Sequence, residues 1–186
     1  MPGAIEDYAL IGDTQTAALV GRDGSIDWLC LPRFDSSACF AALLGKPEHG
    51  CWKIAPSTVL GGVRVRRRYR PDSLILETEF TTPEGVVRVV DCMPPRDRVP
   101  DIVRVVEGVR GRVSMHMQLV IRFDYGSVVP WVTREQGEMR AVAGPDALSL
   151  AAPVAMHGHH LTTVADFTVS EGQRIPFVLR WHPSHE

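Results

Sequence analysis

The sequence predicts an all-β fold, a large antiparallel β-sandwich with at most one short helix, and three observations support this prediction. Apolar and polar residues alternate along many short runs, turn-forming dipeptides separate those runs, and helical periodicity is nearly absent. The runs amount to about a dozen strands, whereas a twisted open sheet rarely exceeds about 10 strands. Two large stacked sheets are therefore expected.

The N-terminal third contains the clearest turn signal and the one helical signal. The pair Asp23-Gly24 is typical of a tight hairpin, and it separates strands that we predict at 16–20 and 25–31. Residues 36–44 predict a short helix because a serine at its start can serve as the N-cap.

The middle and the C-terminal half consist of further strands. Arginines at 64, 66, 68 and 70 alternate with Val63, Val65 and Tyr69, as expected of a strand with one solvated face. A second alternating run follows at 74–80, and the turn at 82–85 leads into a third at 86–93. The remaining predicted strands are 102–109, 113–123, 138–142, 148–151, 161–169 and 175–181.

Length and composition indicate one ordinary globular domain spanning residues 1–186. The chain is 45% hydrophobic and 23% charged, and β-sandwiches of about 200 residues commonly form single domains. A net charge of −2 is too small to recruit nucleic acid or an anionic membrane, so neither is an expected partner. The longest mainly apolar stretch, 147–156, is far shorter than the roughly 20 residues of a spanning helix.

The four cysteines indicate reduced thiols and no metal centre. Cys30, Cys39, Cys51 and Cys92 form no CxxC pair and match no zinc-binding spacing. The first residues also lack the basic and then apolar profile of a secretory signal. We therefore expect a cytoplasmic protein that needs no cofactor.

Glu77 and Glu79 are the one carboxylate pair with a spacing that catalysis could use. Two residues apart on a strand, their Cα atoms lie about 6.5–7 Å apart, within the range of an acid and a base in inverting glycosidases. Such groups must flank the substrate from opposite sides, however, whereas these two point the same way. An exposed strand face is the better interpretation, and no catalytic residue is expected in this chain.

Two other clusters have simpler interpretations. Residues 157–160 hold three histidines, but no cysteine or acidic residue lies at ligand spacing nearby, so we expect a glycine-containing turn rather than a zinc site. The arginine-rich run 66–70 has no second basic segment or interleaved aromatic residues to accompany it. We interpret it as the solvated face of a strand rather than as a nucleic-acid or phosphate site.

Residues 24–36 are the segment with the densest set of potential ligand-binding side chains. Trp28 and Phe34 offer flat apolar faces for sugar rings, and Arg33 and Asp35 could hydrogen-bond sugar hydroxyls. From spacing alone, an Arg33–aspartate ion pair that pins a loop over a buried Trp28 is the stronger interpretation. The alternative is a loop that faces substrate through Trp28, Arg33 and Asp35, with Phe34 anchored in the core on the opposite side.

The sequence resembles the N-terminal domain of trehalase-like and glucoamylase-like enzymes of glycoside hydrolase family fifteen, and the resemblance covers essentially the whole chain. The matching segments are Ile5-Glu-Asp-Tyr-Ala-Leu-Ile-Gly-Asp13, Thr16-Ala-Ala-Leu-Val20, Gly24-Ser-Ile-Asp-Trp28, Leu31-Pro-Arg-Phe-Asp-Ser36, Phe40-Ala-Ala-Leu-Leu44, Tyr69-Arg-Pro71, Asp91-Cys-Met-Pro94 and Arg122-Phe-Asp-Tyr-Gly126.

This resemblance implies a β-sandwich of the super-sandwich type that precedes an (α/α)₆ barrel carrying two catalytic glutamates. The barrel is absent from this chain, so the resemblance implies a non-catalytic domain whose parent enzyme cleaves trehalose. A parent that acts on α-glucans is the alternative, as is a free-standing carbohydrate-binding or scaffold module. The expected partners are the missing barrel and, through the parent, an α-glucoside. The resemblance also favours the substrate-facing loop.

An isolated domain of this kind is expected to expose an apolar patch near 28–40 and the C-terminal strand. Self-association would follow, because that surface could be covered only by another copy.

Overall fold

The computed structural model describes residues 3–57, 62–135 and 137–186 and confirms the all-β prediction. The strands are β1 (Tyr8–Gly12), β2 (Ala17–Gly21), β3 (Ser25–Cys30), β4 (Ala38–Phe40), β5 (Cys51–Pro56), β6 (Arg64–Tyr69), β7 (Leu76–Thr82), β8 (Gly85–Cys92), β9 (Asp101–Val120), β10 (Trp131–Glu135), β11 (Glu138–Ala143), β12 (Asp146–Ala151), β13 (His157–His159), β14 (Thr162–Ser170) and β15 (Arg174–Pro183). Among the described residues, the helical segments are short 3₁₀ turns at Ile5–Asp7, Ala42–Leu44, Pro47–His49 and Asp124–Gly126.

The strands form two antiparallel sheets that share β9. The first sheet has the order β1-β2-β3-β5-β9-β14-β13, with β4 paired to β3. The second has the order β6-β7-β8-β9-β15-β12-β11-β10. The edges of the described sheets are thus β1 and β13 in the first, and β6 and β10 in the second.

The long strand β9 replaces two strands that the sequence predicted separately. Its N-terminal part pairs with β8 and β15, whereas its C-terminal part pairs with β14 and β5. Gly111, with φ of +72°, lies at the transition. The prediction of a chain break here was wrong, because glycine lets the backbone bend while pairing continues on both sides.

The two sheets enclose one contiguous apolar core. Ile26 and Trp52 from the first sheet and Phe80, Ile102 and Phe177 from the second are all at most 2% exposed and belong to one cluster. Alternation along the strands places these side chains inward, and the polar residues between them face solvent.

A buried ion pair of the second sheet faces the core. Arg104 Nε donates to Asp91 Oδ1 at 2.8 Å, and both side chains are fully buried. The same guanidinium donates to the carbonyl oxygens of Trp52 and Gly24 at 2.6 and 2.8 Å, and it lies 5.0 Å above the Trp52 ring. Arg104 of the second sheet therefore binds backbone of the first sheet directly.

The predicted hairpin between β2 and β3 is confirmed, and its glycine is required. Gly24 has φ of +82°, and a Cβ added there would lie 2.4 Å from the carbonyl oxygen of Ile54. A side chain at this position would thus separate the turn from β5.

The helix predicted at 36–44 was wrong. The segment forms β4, which pairs with β3, and then the 3₁₀ turn Ala42–Leu44. All three residues of β4 are buried, so the energy of burial against β3 outweighs a local helical preference. Strands β1, β4, β5, β10 and β13 were not predicted as strands, whereas the other strands coincide with predicted runs apart from shifted ends.

Candidate functional site

The loop that follows β3 carries two of the three predicted site residues. Arg33 Nε donates to Asp35 Oδ1 at 3.0 Å, and the two side chains are 68% and 73% exposed. The Arg33 guanidinium lowers the pKa of the Asp35 carboxyl by hydrogen bonding and by its charge. The structure therefore brings Arg33 and Asp35 together as an ion pair that both partners present to solvent.

The prediction that Phe34 anchors this loop in the core was wrong, because its side chain is 67% exposed. Backbone contacts hold the loop instead. The Phe34 N–H donates to the carbonyl oxygen of Gln15 at 3.0 Å, and the Arg33 N–H donates to Ser36 Oγ at 3.1 Å. A loop fixed by its main chain leaves three consecutive side chains, residues 33–35, free to contact another surface.

Trp28 contacts other residues than the Arg33–Asp35 pair. Its half-buried indole packs against the small buried cluster of Cys30, Ala38 and Ala41, and its ring centroid lies 6.1 Å from that of Tyr125. Trp28 is thus neither buried beneath the ion pair nor freely exposed. It joins the predicted loop to the segment around Tyr125.

Asp27, the other carboxylate of this segment, is engaged within the domain. It accepts hydrogen bonds from Ser25 Oγ and, at 2.7 Å, from the Tyr8 hydroxyl. Burial, followed by this hydrogen bond to a carboxylate, raises the pKa of Tyr8 to about 12. Asp27 therefore links β3 to β1 across β2 within the first sheet.

Tyr125 extends the surface beyond the predicted loop. Asp124 and Tyr125 both have positive φ, 50° and 57°, and Ser37 Oγ lies 3.4 Å from Asp124 Oδ1. The turn holds the Tyr125 ring 50% exposed beside Trp28. Sequence reasoning assigned no function to Tyr125, although the run 122–126 was among the segments that carried the family resemblance.

Next to this turn, a groove of about 340 Å³ opens between the β10 edge of the second sheet and the β13–β14 hairpin of the first. Its floor is apolar and buried, and its rim carries exposed Trp131 and Leu161. The lining residues are Leu119, Ile121, Arg122, Val129, Pro130, Trp131, Val132, Met139, Gly158, His159, His160, Leu161, Thr162 and Thr163. The sequence analysis did not predict this groove, and the apolar run 128–132 was the available signal.

The interpretation of Glu77 as exposed was wrong. Its side chain is 6% exposed and is covered by Arg68 and Arg70, which bind it at 2.8 Å each. The hydrogen bond from Arg70 and that from Arg68 outweigh the effect of burial and lower the pKa of Glu77. Glu79 binds Arg88 at 3.0 Å, so both carboxylates form ion pairs on one strand face.

The other two clusters lie on β6 and on the β13–β14 hairpin. Arg66 and Arg68 lie on the exposed face of β6, as predicted, whereas Arg67 faces inward and donates to the carbonyl oxygens of Asp7 and Val20. His157 and His159 lie on β13 and His160 in the following turn.

Within residues 3–57, 62–135 and 137–186, no three His, Cys, Asp or Glu side chains converge as metal ligands, and no helix is long and apolar enough to cross a membrane.

Together, fold and surface define an all-β sandwich domain with an exposed polar loop and an apolar groove. The model of the trehalase-like N-terminal family matches residues 1–182. The chain belongs to this family.

Curated relatives of the chain are trehalases. It is 30% identical to a trehalase of Mycobacterium tuberculosis over 210 aligned positions, covering 96% of this chain and 30% of that protein. It is 35% identical to a trehalase of Mycolicibacterium smegmatis, covering 67% and 21%, and 32% identical to a trehalase of Thermoplasma volcanium, covering 71% and 22%. The chain thus spans about a fifth to a third of the length of these relatives.

Proposed function

We propose that this chain is the non-catalytic N-terminal domain of an inverting α-glucoside hydrolase of glycoside hydrolase family fifteen, whose substrate is trehalose. The observation that carries the proposal is the similarity to a trehalase across 96% of the chain, together with the match to the trehalase-like N-terminal family. A parent that hydrolyses α-glucans from their non-reducing ends is the alternative in the same class.

The chemistry would take place on an (α/α)₆ barrel outside this chain. In an inverting hydrolysis, one carboxylic acid protonates the glycosidic oxygen while a carboxylate on the opposite face activates water. The ion-paired arrangement of Glu77 and Glu79 on one strand face supports a site elsewhere. The domain would support the barrel and contribute part of the pocket wall.

The loop 33–35 is the part of this domain that we place against the substrate pocket, with Trp28 on the adjacent surface. Arg33 and Asp35 are exposed, already oriented by their mutual hydrogen bond, and held by backbone contacts that do not depend on their side chains. A guanidinium presented in this way can donate two hydrogen bonds to neighbouring hydroxyls of a glucosyl ring. Trp28 supports the adjacent surface through Tyr125.

Replacing Arg33 in the full-length enzyme tests this placement. Arg33→Ala should lower kcat/KM for trehalose roughly ten- to hundredfold, the worth of a hydrogen bond to a charged group, and should leave the melting temperature nearly unchanged. Arg22→Ala, which removes a similarly exposed ion pair with Asp7, is the matched control and should change neither quantity appreciably. A lower melting temperature with normal kcat/KM would assign Arg33 a structural role only.

A free-standing carbohydrate-binding module is a second candidate, and the exposure of Trp131 favours it. Trp131 is 77% exposed, whereas Trp52 is fully buried. Titrating the chain with trehalose and maltotriose while monitoring tryptophan fluorescence tests this function. Saturable quenching that Trp131→Ala abolishes would favour the module over the accessory domain.

We also propose a cytoplasmic location. All four cysteines, each within the described part of the chain, are free thiols, as is usual where thiols are kept reduced.

A further inference from the structure

The groove between β10 and the β13–β14 hairpin is an apolar surface that none of the described residues covers. Leu119, Ile121 and Met139 form its floor and are at most 4% exposed. Its rim consists of large apolar side chains in solvent: Trp131 is 77% exposed and Leu161 72%. Val129 and Val132 extend the rim at 49–50% exposure. Contiguous exposed apolar surface of this kind is typical of an interaction site.

The exposed position of Leu161 is imposed by a strained turn. His160 and Leu161 are the two residues of the β13–β14 hairpin loop, and both have positive φ, 46° and 59°. Asn-Gly is the usual choice for such a loop, because a bulky residue is disfavoured in the left-handed region. The hairpin thus holds a leucine in solvent at a cost in both backbone and hydration energy.

Arg122 holds this turn through hydrogen bonds to its backbone. Its side chain is only 8% exposed, and both terminal nitrogens lie 3.3 Å from the carbonyl oxygen of Leu161, to which they donate. One of them also donates to the carbonyl oxygen of Ile121 at 2.6 Å. A largely buried guanidinium therefore holds the Leu161 backbone in place at the wall of the groove.

The C-terminal residues contact β11, the strand next to the β10 edge of the second sheet. Across the strands, Trp131 pairs with Val142, Val142 with Ala147, and Ala147 with His182. Three strand spacings of about 4.8 Å therefore separate Trp131 from His182. Beyond β15, the carbonyl oxygens of Ser184 and Glu186 accept hydrogen bonds from Arg140 of β11, the strand next to β10. In the longer relatives, polypeptide that follows the matched region would start here.

We propose that the groove and its rim, with Trp131 and Leu161 as anchors, are the docking surface for the polypeptide that follows this domain in the full-length enzyme. The inference rests on the proposed function and names the surface that this function uses. Two observations favour this occupant: the relatives are three to five times longer than the part matched here, and the chain end contacts Arg140 of β11, the strand next to β10. Its apolar rim fits protein side chains better than sugar hydroxyls.

Hydrogen–deuterium exchange on the chain alone and on the full-length polypeptide tests the docking surface. We expect exchange in residues 128–132 and 158–163 to slow by about tenfold or more in the full-length protein. Leu161→Asp in the full-length protein should restore the fast exchange, because a carboxylate cannot be buried against an apolar partner without a large cost.

Leu74→Asp is the matched control, since Leu74 is 49% exposed and follows β6 at the opposite edge of the second sheet. It should leave the protection of both segments unchanged. Each variant is also made in the chain alone, where an unchanged melting temperature shows that it folds. If Leu161→Asp does not fold, Trp131→Ser replaces it.

The outcomes separate this inference from the proposed function. Protection confined to other surfaces of the domain would overturn the inference and leave the accessory role intact. Equal exchange throughout the two proteins would overturn both. In the chain alone, protection of the groove at higher protein concentration would assign the groove to a second copy. Protection on adding maltotriose would assign it to a saccharide. Either result would overturn the inference.

Discussion

Arg104 is the residue whose charge is most deeply enclosed in this domain. It reaches Asp91 and two backbone carbonyl oxygens from a position with no measurable exposure. Arg104→Met should lower the free energy of unfolding by about 3–5 kcal/mol, because the Asp91 carboxylate would be left buried without a partner. Denaturant unfolding measures this difference.

The exposed pair of Arg180 and Asp101 supplies the comparison for that experiment. Arg180→Met removes the same kind of side chain at a site that is 54% exposed, so its effect should stay within about 1 kcal/mol. Similar losses for the two variants would contradict a special role for the buried pair.

Glu77 makes the stability of the domain depend on acid pH. Hydrogen bonds from Arg70 and Arg68 lower its pKa in the folded protein, so the stabilisation is present above the pKa of the unfolded chain. It is lost as the pH falls through the lower, folded-state pKa. Glu77→Gln should reduce stability at pH 7 by about 1 kcal/mol, since its partners are partly exposed.

The distinguishing measurement is the slope of stability against pH below pH 5. The Glu77→Gln variant should lose less stability on acidification than the unmodified chain, whereas Glu84→Gln in an exposed turn should behave like the unmodified chain. Parallel acid profiles for Glu77→Gln and the unmodified chain would show that another group dominates.

Individual residues show how far sequence patterns reach. Arg104 occupies an inward position between Ile102 and Val106, so the alternating pattern itself indicated its burial, although the type of residue argued against it. Glu77 was interpreted wrongly because its cover comes from arginine side chains of the neighbouring strand. Which side chains of β6 lie opposite Glu77 depends on the register between β6 and β7. A single sequence does not show that register.

At the scale of elements, β9 depends on the glycine at its bend. A Cβ added to Gly111 would lie 2.5 Å from the carbonyl oxygen of Glu84, and φ of +72° disfavours any side chain. Gly111→Ala should therefore destabilise the domain by about 2 kcal/mol or more. The midpoint of thermal unfolding, compared with that of the unmodified chain, reports this loss.

Gly144→Ala separates the two causes of this loss, the close contact of the added Cβ and the positive φ. Gly144 also has positive φ, +59°, but nothing lies within 4 Å of an added Cβ. Its substitution should cost only the conformational part, about 1–2 kcal/mol. Equal losses at Gly111 and Gly144 would mean that the β8–β9 junction tolerates the added carbon by moving.

Two hairpins were predictable from their turns, whereas elements that exist only through pairing or packing with other segments were not. The hairpins around Gly24 and residues 82–85 carry their turn signals locally. In contrast, β4 forms only because β3 offers an edge, and the groove combines segments near 120, 130 and 160. The loop at 33–35 was located correctly, but the side on which Phe34 lies was not, because backbone hydrogen bonds decided it.

At the scale of the whole molecule, the chain is expected to fold and yet to lack hydrolase activity. One apolar cluster joins both sheets, which supports independent folding, whereas the two close carboxylates that might serve as acid and base are ion-paired. Incubated with trehalose, maltose or starch, the purified chain should release no glucose above a buffer blank. Glucose release that a substitution within this chain abolishes would contradict the non-catalytic assignment.

The shared strand β9 also determines the order in which the domain can assemble on the ribosome. Each part of β9 has one partner that is synthesised earlier, β8 or β5, and one that is synthesised much later, β15 or β14. Because synthesis adds about 5–20 residues per second, both parts of β9 wait for seconds with one edge unpaired. The nascent chain thus completes both sheets almost together, when its last strands emerge, and a chaperone that covers β9 during that interval would find two open edges on a single strand.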